Sequence, residues 1–187
     1  MRFIVGTSGS AKNGAKGVYA VDGDQATRLD LDGDDLMALI NGADIVKTDE
    51  TVALADITPA LPVENPGKLI CLGLNYVDHI KEGGYDIPTY PALFMRGRNS
   101  IMPAGAPMIR PTCSERLDYE VELMVIIGKR GKHIAESDAY DHIFGYTIFN
   151  DMTARDAQMK EMAGQLGPAK GKDFDTGNIM GPFILTA

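Results

Sequence analysis

The chain has 187 residues, 44% of them hydrophobic, enough to bury one moderate core or a small module joined to a larger one. Acids outnumber bases 26 to 18, giving a formal net charge of -8, and no Lys/Arg-rich block occurs, so the footprint of a nucleic-acid or anionic-membrane binder is missing. Cys71 and Cys113 have neither CxxC spacing nor scaffold density, and no apolar run reaches a signal-peptide core or a membrane span, so a reduced, cytoplasmic protein is expected.

In chain order, "RFIVG" predicts a strand and "GVYAVDGDQATRLDL" a hairpin around Asp22-Gly23, a pair suited to a tight turn with positive φ. "GDDLMALINGA" sets Leu36, Leu39 and Ile40 at i, i+3, i+4, with acids leading and Asn41-Gly42 closing, which predicts a short helix. "ITPALPVENPGK" carries Pro59, Pro62 and Pro66 and reads as a connector. The charge bias shifts across it, from strongly acidic before to nearly balanced after, so residues 1–64 are expected to form a small N-terminal domain and 65–187 a second one.

Beyond the connector, "KLICLGL" predicts a strand, and "NYVDHIKEGG" a turn or short helix that Asn75 could cap and Gly83-Gly84 end. Residues 90–111, rich in Pro and Gly, predict loops and short strands. Strands follow at 117–127 and 143–149, then a helix, "TARDAQMKEMAG", with Thr153 and Asp156 at capping-box spacing.

The strand "LDYEVELMVIIG" raises a chemical question. Alternate side chains share a face, so Leu117, Tyr119, Val121, Leu123, Val125 and Ile127 form one face, expected to be core. Asp118, Glu120 and Glu122 line the other, about 7 Å apart, where they repel unless water or a cation intervenes. A solvated edge strand is the bland reading. Asp151, delivered by the later strand "GYTIFND", makes a third carboxylate, and it reads alternatively as a helix-entry residue. Together Glu120, Glu122 and Asp151 form an all-oxygen set suited to Mg²⁺, Mn²⁺ or Ca²⁺ and not to zinc or copper.

His79 and Glu82, at i, i+3, have the spacing of a dyad in which the carboxylate orients the imidazole as a general base; an exposed His beside an incidental acid is the competing reading. Lys172, in a glycine-flanked loop, could reach a substrate oxyanion or simply be solvated, and Arg96 and Arg98 have the same two readings. His133 and His142 sit among charged or loop residues and receive no role.

As a set, "CLGLNYVDHIKE", "YPALFMRGRNSI", "LDYEVELMVIIGK", "GYTIFNDMTARDAQ" and "KDFDTGNIMGPFILTA" resemble the fumarylacetoacetate hydrolase family in order and spacing over residues 67–187. The resemblance implies an α+β fold, a mixed β-sandwich or roll behind a small N-terminal domain, usually homodimeric, with the catalytic domain here lacking its C-terminal third. It implies Glu120, Glu122 and Asp151 as ligands of Mg²⁺ (or Mn²⁺/Ca²⁺), His79 and Glu82 as catalytic dyad, Lys172 as stabiliser of developing negative charge, and Gln158 as a substrate contact. Arg96 stands where many members have Lys, which keeps the charge but changes the hydrogen-bond fork.

The implied activity is metal-dependent hydrolysis of a C–C bond in a small 1,3-diketo or 2-oxo acid, with water activated by the His79-Glu82 dyad and the leaving enolate held by metal and Lys172. The same enolate serves an isomerase or decarboxylase acting on a 2-hydroxymuconate-like or oxaloacetate-like acid. From a different class comes an inactive, truncated metal-binding fragment.

Overall fold

A computed structural model of the chain describes residues 1–10 and 14–187. The chain opens with an antiparallel meander, β1 (Arg2–Ser8), β2 (Gly17–Asp22) and β3 (Gln25–Leu29). Asp22 pairs with Gln25 and Gly23 has φ +55°, so the Asp-Gly signal closes a two-residue turn as expected. Helix α1 (Met37–Ile40) has only four residues; Asp35 accepts from the Met37 amide at 2.9 Å, and Leu36 and Leu39 are buried against Phe3, Val5, Val18 and Ile184. Strand β4 (Lys47–Ala53) pairs with β3.

The proline-rich connector is not wholly irregular. Its start forms β5 (Ile57–Pro59), antiparallel to β1, and Pro59 sits at the strand's last position, where a missing N–H costs little. Strand β6 (Leu69–Gly73) then leads into helix α2 (Val77–Gly83), which Gly84 ends in the left-handed conformation at φ +67°; Asn75 makes no capping bond, and the helix begins after Tyr76. Strand β7 (Ala92–Arg96) returns against β6 as a separate two-stranded sheet.

The remaining elements are β8 (Ile101–Pro103), β9 (Leu117–Asp118), β10 (Val121–Ile127), β11 (Ile143–Asp151), β12 (Thr153–Ala154), α3 (Arg155–Ala163), α4 (Ala169–Lys172), β13 (Asn178–Met180) and β14 (Phe183–Thr186). The main sheet runs β4-β3-β2-β1-β14-β11-β13-β8, with β10 paired to β11 and β5 to β1. All these pairings are antiparallel except β13 with β8, so the sheet is mixed and the fold is α+β. Strand β14 joins the meander to the rest: Phe3 pairs with Ile184, and Tyr146 of β11 with Leu185. No helix among the described residues is long and apolar enough to cross a membrane.

The facing of β10 is the reverse of the expectation. Val121, Leu123, Val125 and Ile127 are exposed, whereas Glu122, Met124 and Ile126 turn inward, Met124 onto Leu69, Cys71, Phe149 and Met180. The alternation itself holds; what reverses it is that the inner side supplies cations for the carboxylates. The outer apolar face continues in register, Leu123 opposite Ile148 and Tyr146 opposite Leu185.

The capping box is also replaced. Helix α3 starts at Arg155 with no side-chain cap; Thr153 donates instead to Glu120 at 2.8 Å, and the Asp156 carboxylate accepts from Ser114 Oγ at 2.5 Å and the Glu115 amide at 2.9 Å.

Candidate metal and substrate site

The antiparallel register of β10 on β11 brings the three carboxylates together. Val121 pairs with Asn150 and Glu122 with Phe149, and the Asp151 amide donates to the Glu120 carbonyl at 2.8 Å. Oxygens of Glu120, Glu122 and Asp151 all lie within 4.8 Å of one another, and Asp151 is 1% exposed. Carboxylates this close and this dry repel strongly, so cations must stand beside them.

Two do so from inside. Lys172, 3% exposed, donates to Asp151 Oδ2 at 2.6 Å and Glu120 Oε2 at 2.9 Å. Arg96, at the end of β7, donates through Nη2 to Asp151 Oδ1 and to the Met152 carbonyl, the latter at 3.0 Å. The Phe94 ring lies near both, 5.5 Å from Lys172 Nζ and 5.9 Å from the Arg96 guanidinium carbon, and closes the apolar side. Lys172 is therefore no solvated surface lysine. Its approach depends on Gly171: a Cβ there would stand 2.5 Å from the backbone nitrogen of Gln158, so only glycine lets α4 lie this close to α3.

The carboxylates are not equivalent. Burial alone would raise Glu120, but Lys172, Thr153 and Arg155 outweigh it and hold its pKa below the ordinary glutamate value. Glu122 has no hydrogen-bond donor among the described residues; burial, then the neighbouring Asp151, push it up to about 7. Buried Cys71 lies with Sγ 4.0 Å from Asp151 Oδ1, and burial followed by that carboxylate pushes its thiol up to about 12, so it stays protonated. Both cysteines are free, as expected.

A cluster of three carboxylates, one with oxygens not engaged by any donor, fits a hard divalent cation of the Mg²⁺, Mn²⁺ or Ca²⁺ type. Because a ligand must be deprotonated to bind, a proton on Glu122 competes with metal below pH about 7. Mg²⁺ affinity measured calorimetrically should rise roughly tenfold per pH unit up to about 7 and level off above it; a flat profile would exclude Glu122 as a ligand. The metal-free fold responds in the opposite sense. The folded value lies above the reference of 4.5, so Glu122's contribution to stability is full below about 4.5 and is lost as pH rises through about 7.

The other residues singled out from sequence are spread around this cluster. His79 is half-buried and Glu82 exposed on α2; no hydrogen bond joins them, and neither belongs to the carboxylate group. Gln158, on α3, accepts through Oε1 from Arg155 Nη1 at 2.7 Å. Arg98 points away and donates to Asn65 at 2.9 Å. Arg155 is the residue that sequence reasoning missed. Its guanidinium also donates to Asp118 at 2.7 Å and to Glu120, and the signal was its i, i+3 spacing to Gln158 at the helix start.

Residues 68–187 match the family described as Fumarylacetoacetate (FAA) hydrolase C-terminal. The chain belongs to the fumarylacetoacetate hydrolase family. Within it, the mitochondrial oxaloacetate tautomerase fahd2 of Xenopus laevis is 42% identical over 132 residues, covering 71% of this chain and 41% of that protein. A solved fumarylacetoacetate hydrolase from psychrophilic Exiguobacterium antarcticum superposes with a TM-score of 0.80 at 30% identity, over 100% of this chain and 66% of that one. The 5-carboxymethyl-2-hydroxymuconate delta-isomerase of Mycobacterium smegmatis gives a TM-score of 0.76 at 26% identity, over 100% of this chain and 67% of that one. The chain thus spans about two-fifths of the tautomerase and about two-thirds of the solved structures.

Proposed function

We propose that this site moves a proton at the carbon beside a 2-oxo group, interconverting keto and enol forms of a small dicarboxylic 2-oxo acid of the oxaloacetate type. The observation that carries the reading is the buried Glu120-Glu122-Asp151 cluster with Lys172 and Arg96 pressed against it. An all-oxygen cluster edged by two fixed cations suits an anionic chelating substrate whose charge grows as the enolate forms. A bound divalent cation would supply Lewis acidity to the 2-oxo oxygen.

The chain's own groups supply the rest. Lys172 holds an ammonium where negative charge develops, already oriented by two carboxylates and so needing no reorganisation. Arg96 keeps Nε and Nη1 buried without partners, two N–H groups free to grip a substrate carboxylate. The proton is assigned to His79, supported by Glu82. Their helix follows directly on β6, whose Cys71 reaches Asp151. Relatives named as oxaloacetate tautomerase and muconate isomerase support proton transfer over bond cleavage.

Hydrolytic C–C cleavage through the same enolate is the second reading, favoured by the likeness to the Exiguobacterium hydrolase. Incubating the chain with oxaloacetate and Mg²⁺ separates them: tautomerisation is read as enol absorbance relaxing faster than in buffer, with substrate mass conserved, whereas decarboxylation yields CO₂ and cleavage of an acylpyruvate yields two acids. Mg²⁺ binding without any turnover on these substrates would overturn both catalytic readings and leave a metal-binding fragment.

A further inference from the structure

Arg155 spends each part of its guanidinium on a different element. Nε donates to Asp118 Oδ2 of β9 at 2.7 Å, Nη2 to Glu120 Oε1 just before β10, and Nη1 to Gln158 Oε1 of α3 at 2.7 Å. The backbone fixes it there: Thr153 and Ala154 of β12 pair with Asp118 and Leu117, and the Arg155 amide donates to the Arg116 carbonyl at 2.8 Å. Burial would lower its pKa, but Asp118 and Glu120 outweigh burial and raise it, so the charge is permanent.

Two consequences follow from arginine having donors and no acceptor. Glu120 Oε1 is engaged by Arg155 and by Thr153 Oγ1, which leaves Oε2 as the oxygen turned to Lys172 and the carboxylate cluster. Gln158 must present its carbonyl oxygen to Arg155, so the end left over is the amide nitrogen, which has no partner among the described residues. That nitrogen lies on the helix that touches Gly171, the neighbour of Lys172.

We propose that Arg155 is a positioning residue that sets the polarity of the site: it commits Glu120 to offering one oxygen to a cation, and Gln158 to offering only N–H donors to substrate. The site then selects acceptor-only ligand oxygens, carboxylate or enolate, over hydroxyl groups that need an acceptor. The inference rests on the metal-dependent 2-oxo acid reading above and adds its specificity.

The test uses the intact chain and three substitutions, with Mg²⁺ affinity by calorimetry and KM and kcat for oxaloacetate. Arg155→Met should weaken Mg²⁺ binding about tenfold and raise KM about tenfold or more, because both Glu120 and Gln158 lose their fixed ends. Arg155→Lys should restore Mg²⁺ affinity and leave KM raised, since one ammonium can serve Glu120 but not the planar fork. Gln158→Leu, which leaves Arg155 and the carboxylates in place, should raise KM with Mg²⁺ affinity unchanged and keeps the proposal testable if Arg155→Met does not fold. Unchanged Mg²⁺ affinity in Arg155→Met, full rescue of KM by Lys, or an unchanged KM in Gln158→Leu overturns the positioning role. Wild-type chain that binds no Mg²⁺ overturns the underlying functional reading instead.

Discussion

Asp151→Asn should cost the protein its Mg²⁺ binding, by at least about 100-fold, and lower its melting temperature by roughly 10 °C. Asp151 is 1% exposed and is the acceptor shared by Lys172 and Arg96, themselves 3% exposed each. An amide of the same shape removes the charge and leaves two buried cations facing a single remaining partner carboxylate, Glu120. Removing one member of a buried ion pair typically costs about 3–5 kcal/mol, because the surviving charges stay dehydrated. Thermal unfolding with and without Mg²⁺ measures both effects, since a ligand of the folded form raises the midpoint. The exposed Asp141 gives the control, and D141N should change neither; a D151N protein that still shows the Mg²⁺-dependent rise would place the metal elsewhere.

Gly171→Ala is expected to separate catalysis from metal binding. The added methyl would meet the nitrogen, Cα and Cβ of Gln158 at 2.5–2.6 Å, backbone and near-backbone atoms that cannot swing away. Helix α4 must therefore shift and carry Lys172 with it, a displacement of the kind that costs about 100-fold in rate when it moves a group out of register with the reacting atoms. The carboxylates come from β10 and β11 and their approach, not from α4, so Mg²⁺ affinity should stay within about tenfold. Loss of Mg²⁺ binding with turnover intact would show that Gly171 does not serve Lys172.

The carboxylate set was legible because a Glu-x-Glu on one strand face and an Asp at the end of a later strand need only period-two geometry to predict that they meet. Which way that face points was not legible. The rule that apolar faces go inward gave the wrong side for β10, since the cations that make an inward carboxylate face tolerable come from Arg96, Arg155 and Lys172, far apart in sequence. Thr153 and Asp156 had correct local spacing for a helix cap, but each found a stronger partner, Glu120 and the Ser114-Glu115 turn. Local pattern yields to tertiary hydrogen bonding wherever the polar partner is buried. The short β5 escaped notice because three prolines dominate its neighbourhood, although only the last residue of the strand is one.

Strand β14 has a kinetic consequence. It is four residues long, yet it is the hydrogen-bonded seam between the opening meander and β11, and the Met1 ammonium donates to Thr186 Oγ1 at 2.6 Å. The hairpins β1-β2-β3 and the β10-β11 pair can form from near neighbours in the chain, whereas Phe3 and Ile184 must search for each other across almost its whole length. Closing so long a loop for so short a ladder makes this seam the slow step of assembly, so the Asp151-bearing strand can be paired on one side well before the meander is anchored to it.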